Sequence, residues 1–141
     1  MLTPETRVLL TDALRPPDGY RVDLAVATTY SLDLTALLLV PMSFALHQTA
    51  NNELDAVDGV ALLESLRRYA QRTTVFCQAG GIHLPAKYSP LLQFLEQSVS
   101  EVTPPDPRRI FHPKVWMIRF VAADNRHRHR VLVLSRNLTF D

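Results

Sequence analysis

The sequence predicts an α/β domain, a layered α/β/α sandwich around a mixed sheet. Two observations carry this expectation. Through the first hundred residues, apolar runs with a period of two alternate with runs at helical spacing, in the order β-α-α-β-α. The last third then supplies two strands with apolar residues on both faces, the pattern of a sheet covered above and below. At 141 residues and 47% hydrophobic content, residues 1–141 are expected to form a single domain around one core.

Each element has a local cause. Thr3 before Pro4, followed by Glu5 and Thr6, predicts a capped first helix reaching about Leu14. Tyr20 to Thr28 (YRVDLAVAT) alternates and then turns wholly apolar, as a strand buried at its far end does. Ser31 or Asp33 can cap the following apolar helix, which Pro41 is expected to end or kink. Asp58 to Gln71 places Val60, Leu63 and Leu66 on one face of a second helix. Thr73 to Gln78 reads as a short strand closed by Gly80 and Gly81, and Ser89 to Val99 as a third helix begun by Ser-Pro. Lys114 to Ala122 and Arg130 to Ser135 are the closing strands, joined by the polar loop ADNRHRH. The Pro-rich points at 15–19 and 103–107 punctuate one domain and do not divide two.

Composition narrows the function classes. Cys77 is the single cysteine, so no internal disulfide can form and a cytoplasmic location is the default expectation. The first ten residues lack the basic and apolar regions of a signal peptide. The apolar run from Leu34 to Leu46 contains Pro41 and falls short of the ~20 residues a bilayer span needs. Seven basic residues face ten acidic ones up to Ser100, whereas eight face four from Glu101 onward. That basic final segment suits a phosphate-bearing partner.

The chemistry-bearing residues lie in the closing strands. A period of two puts His112 and Lys114 on one face where the first of these strands begins, and pairs Ser135 with Asn137 at the end of the second. A hairpin centred on Asn125 and Arg126 would place Lys114 opposite Asn137. An imidazole, an ammonium, a carboxamide and a hydroxyl would then share one sheet edge. Imidazole can attack phosphorus, and lysine and asparagine can donate hydrogen bonds to the non-bridging oxygens as charge develops. This scheme requires no metal and no cofactor.

These residues resemble the motif of the phospholipase D superfamily, in which His-x-Lys opens a strand and Ser-x-Asn ends the next. The resemblance implies His112 as nucleophile through a phosphohistidine intermediate, Lys114 and Asn137 holding the phosphate, and Ser135 in support. Two positions depart from the common form: Arg119 stands where the family has an aspartate, and Leu134 where it has a glycine. Use of His, Lys and Asn without the aspartate resembles the tyrosyl-DNA phosphodiesterase branch. This implies a nuclease or nucleic-acid end-processing activity, with DNA as the expected partner and no membrane. The family completes its site with a second such motif, whose histidine serves as general acid. One motif is present here, so the resemblance implies half of a pseudo-dimer, completed by a second half-domain of a longer chain or by a homodimer partner. The chain is expected to be truncated at its carboxyl terminus and inactive by itself. The rival expectation is a degenerate domain of this kind that binds nucleic acid within a larger machine without cleaving it.

Thr29, Tyr30 and Arg136 are further candidates for contacting substrate, the first two because ligands of open α/β sheets gather at carboxyl strand ends. Trp116 is expected in the core and Cys77 as a small buried hydrophobe. His127 and His129, between arginines, read as a solvated hairpin tip, and Gly80-Gly81 as a turn. His47 and His83 receive no role.

Overall fold

A computed structural model describes residues 9–51 and 59–140. Its elements are α1 (Leu10–Ala13), β1 (Tyr20–Thr29), β2 (Leu32–Asp33), α2 (Leu34–Asn51), α3 (Gly59–Gln71), β3 (Thr73–Gln78), β4 (Ile82–His83), the 3-10 helix η1 (Pro90–Leu95), β5 (Val99–Val102), β6 (Val115–Ala122) and β7 (His127–Val133). The fold is mixed α/β, with a five-stranded sheet in the order β5-β3-β1-β6-β7 and a small β2-β4 ladder beside it.

Within the large sheet β1, β3 and β5 are parallel, β6 is antiparallel to β1, and β7 is antiparallel to β6. The carboxyl ends of β1, β3, β5 and β7 therefore share one edge with the amino end of β6. One sheet face carries Ala25, Ala27, Val75, Cys77, Trp116, Ile118 and Phe120, all at most 2% exposed, and packs on Leu37, Val40, Phe44, Leu66 and Tyr69 of the helices. The Trp116 and Cys77 expectations hold. The opposite face is open: Met117 is 51%, Val131 63% and Val133 81% exposed. The second helical layer is not found among the described residues. Doubly apolar strands record that both faces favour burial, and carry no information on what does the burying.

The local causes largely match the sequence. Asp33 is the cap of α2, its carboxylate accepting the N–H groups of Thr35 at 2.7 Å and Ala36 at 3.3 Å. The helix runs past Pro41 to Asn51 instead of ending there. β3 spans the expected residues, and α3 matches over its described length, Asp58 lying outside the described residues. The first helix is described only over four residues, and its expected cap at Thr3 lies outside the described part. Ser89–Val99 does not form one helix. Pro90–Leu95 is a 3-10 turn, and Val99 opens a strand, β5, that pairs with β3. The four residues VSEV are too few to show a period, and it is the neighbour that makes them a strand.

The hairpin differs most. Ala122 and Arg126 close a loop of Ala123, Asp124 and Asn125 through an Ala122 N–H bond to the Arg126 carbonyl at 2.9 Å, with Asn125 in the left-handed region at φ 63°. This three-residue loop is a common hairpin closure, and Asn tolerates its last position. β7 consequently begins at His127, so His127 and His129 are strand residues and not a loop tip. Val115 pairs with Val133, and the Lys114 carbonyl accepts the Leu134 N–H at 2.8 Å. Lys114 therefore lies opposite Leu134, three positions from the expected Asn137.

Candidate functional site

The shared sheet edge is organised by the end of β1. Thr28 Oγ1 accepts the Val115 N–H at 3.0 Å, tying the start of β6 to β1. Thr29, 2% exposed, donates from its hydroxyl to the Ser31 carbonyl at 2.8 Å and accepts the Leu138 N–H at 3.0 Å. That second bond brings the chain after β7 back to β1, where Leu138 bridges Leu32 in parallel and its carbonyl accepts the Asp33 N–H. The returning segment carries Asn137 with it. The Asn137 carboxamide oxygen accepts the Tyr30 N–H at 3.3 Å and lies 3.5 Å from Thr29 Oγ1, while its NH2 donates to Ser31 Oγ at 3.4 Å. Asn137 thus reaches the edge by a route that the hairpin register does not supply.

His112 and Lys114 stand at the start of β6. The preceding segment is held by Phe111, whose N–H donates to Gln78 Oε1 at 2.6 Å. Lys114 Nζ lies 2.9 Å from His112 Nε2 and 3.1 Å from Nδ1. Nearly equal distances to the two ring nitrogens place the ammonium against the imidazole between them and not in line with either one. The His112 ring also packs on Tyr30 at 5.2 Å between centroids and is otherwise exposed.

Tyr30 is the link between the two halves of the candidate set: its N–H bonds Asn137 and its ring touches His112. Ser135 and Asn137, with Ser31, Asp33, His83 and Arg136, line an open cleft of about 300 Å³. His112 and Lys114 do not line that cleft, and no hydrogen bond joins them to Ser135 or Asn137 among the described residues. His112, Lys114, Tyr30, Ser135, Arg136 and Asn137 sit at one edge, in two adjoining groups. Thr29 is placed behind the edge, its hydroxyl committed to the Ser31 and Leu138 backbone.

Three contributors escape the linear sequence. Gln78 ends β3 and anchors Phe111. His83 joins the cleft wall because β4 pairs with β2, opposing Asp33 and His83. Gly81 lets the chain pass close to Tyr30: a β-carbon there would stand 2.5 Å from the Tyr30 carbonyl oxygen and 2.9 Å from that of Gln78. Of these, Gln78 carried a usable signal, since it sits at a carboxyl strand end.

Arg119 is five residues into β6 from Lys114, about 17 Å along the strand. It pairs with Asp23 at 2.6 Å on the open sheet face. Asp23 marks an irregularity in the β1-β6 register and also meets Arg72 at 3.4 Å. No group of three or more His, Cys, Asp or Glu side chains placed to hold a metal ion occurs among the described residues. No helix among them is long and apolar enough to cross a membrane.

Comparison with known proteins adds no relative: no protein-family description, curated protein or solved structure matches the chain.

Proposed function

We propose that this chain is one half of a phosphodiesterase of the phospholipase D kind, acting on nucleic acid through a phosphohistidine intermediate and needing a second half-site. The observation that carries the reading is the His112–Lys114 pair at 2.9 Å, beside the Asn137 carboxamide docked on the end of β1. In the reaction, His112 attacks phosphorus and the P–O bond to the leaving group breaks. Lys114 and Asn137 offer N–H donors to the non-bridging oxygens, supplying charge stabilisation without calling on a metal. Water then attacks the phosphohistidine, releasing the second product and restoring the imidazole. The leaving oxygen needs a proton, which in this scheme comes from a histidine of the second half-site.

The open sheet face, with Met117, Val131 and Val133 exposed, supports a partner half-domain or a second copy, which would complete a layered sandwich. The final segment's basic excess favours nucleic acid as substrate.

A second reading has its own observation. Arg119, where the related motif carries an aspartate, is engaged with Asp23 on the far face, as in a domain that keeps the fold and binds nucleic acid without cleaving it. Hydrolysis of bis-p-nitrophenyl phosphate and of labelled DNA in chelator, by the longest form of the protein and its His112→Ala variant, separates the two. Activity that survives chelator and vanishes with His112 is expected. A folded full-length protein without activity overturns the enzyme reading and leaves the binding domain.

A further inference from the structure

The amino-terminal edge of the sheet, about 30 Å along β1 from Tyr30, carries a second and larger cleft of about 470 Å³. That lies within the ~300–1,000 Å³ range of small-molecule sites. We propose that this cleft binds a nucleoside phosphate, as a site separate from the His112 edge.

Its walls include Asp18 of the loop before β1, Tyr20 and Arg21 of β1, His47 and Gln48 of α2, Tyr69 of α3 and Val121 of β6. Phe44 and Tyr69, nearly fully buried, meet edge to face at 5.8 Å and form an apolar floor. Tyr20 is a half-buried aromatic wall, with the Arg128 guanidinium 4.8 Å from its ring centroid. A flat base finds here both apolar area and a stacked cation.

The charge around the cleft is positive. Arg72 and Arg126 are neutralised by Asp23 and Asp124. Arg130 is spent on the carbonyls of Ala13 and Arg15. Arg15, Arg21 and Arg128 form no ion pair among the described residues, and the cleft lining offers them only Asp18. Burial, and after it Arg15, hold His47 below its ordinary pKa against Asp18, and burial pushes the Tyr69 phenol up against the opposing pull of Arg68, Arg21 and Arg72. Gln48 adds a neutral donor, because its carbonyl takes the Tyr69 hydroxyl at 2.7 Å and Arg68 at 3.4 Å, leaving its NH2 without a partner among the described residues. Guanidinium and carboxamide donors suit phosphate oxygens, and a dianion relieves the repulsion among the cations.

Isothermal titration calorimetry at about 0.15 M salt, near physiological ionic strength, tests this with adenosine 5′-monophosphate, uridine 5′-monophosphate and inorganic phosphate. At least one nucleotide is expected to bind about tenfold more tightly than phosphate, a preference worth ~1.4 kcal/mol. Arg21→Ala and Tyr20→Leu are each expected to weaken the nucleotide about tenfold, and His112→Ala to leave it unchanged. Circular dichroism melts verify folding, and Arg21→Gln replaces any Arg21→Ala sample that lacks a cooperative transition. Absence of nucleotide binding overturns the proposal, as does binding indifferent to Arg21. Binding lost with His112 overturns it as well, because the nucleotide then belongs to the other edge. Failure of the phosphodiesterase assay with this binding intact leaves the proposal standing.

Discussion

Replacing Thr29 with valine tests how Asn137 reaches the candidate site. The substitution keeps the shape of the side chain and opens no cavity, so its effect is that of the hydroxyl. Two backbone groups lose a partner, the Leu138 N–H at 3.0 Å and the Ser31 carbonyl at 2.8 Å. Each unpaired buried group costs ~1–3 kcal/mol. Ser31 is only partly buried and can turn to water, whereas Leu138 is 7% exposed, so the Leu138 N–H dominates. The expected loss is about 2 kcal/mol, or ~6 °C in Tm at the ~3 °C per kcal/mol of a domain this size. Urea unfolding followed by the fluorescence of Trp116, which is buried, measures it. Thr29→Ser keeps both bonds and loses one methyl, so it should cost only ~0.8 kcal/mol. With a phosphodiesterase assay in hand, Thr29→Val should also lower kcat about tenfold through a displaced Asn137, with Thr29→Ser restoring it. A Thr29→Val protein within about 0.5 kcal/mol of wild type, the spread of an inert surface change, refutes the clamp.

Gly81→Ala should destabilise by ~1–3 kcal/mol, because the added carbon meets two backbone carbonyl oxygens and no flexible side chain; a thermal melt matching wild type would show that this turn adjusts freely. Cys77 is buried and its thiol is pushed up by that burial and by Glu101, so Ellman's reagent should label it only in urea. His47 is held below its ordinary value of 6.5 by burial and by Arg15, against Asp18. The unfolded chain therefore takes up its proton first, and the His47 contribution to stability is present above pH 6.5 and lost as the pH falls below it. His47→Gln should flatten the fall in urea midpoint between about pH 6.5 and 5, below the ordinary histidine value; an unchanged slope assigns the acid loss to other groups.

The elements that proved legible are those whose cause is local. β3 follows from a β-branched, aromatic run ending in Gly80-Gly81, and the α2 cap from Asp33 two residues before the Thr35 N–H it accepts. β5 was illegible because four residues show no period, and its strand state is imposed by β3. The hairpin strands were legible but their register was not. ADNRHRH contains several possible turns, and the structure closes the three-residue one with Asn125 in the left-handed region.

In the candidate site, the strand ends already mark several of the residues that share the edge. His112 and Lys114 open a strand and Ser135 and Asn137 follow its hairpin partner, so the hairpin brings these two groups to one edge, and Thr29 and Tyr30 join them because β6 runs antiparallel to β1. Tertiary structure alone decided how they meet. Asn137 is brought in by the Thr29 hydroxyl and the Leu32–Leu138 bridge, and His83 by β2-β4 pairing. It also left one sheet face open and arranged a cleft at the far edge from residues scattered between Pro16 and Ala123. Local sequence governs a backbone over the few residues that share one turn or one strand. Contacts across tens of residues depend on loop closures and on which surfaces find apolar cover, and those are properties of the whole packed chain.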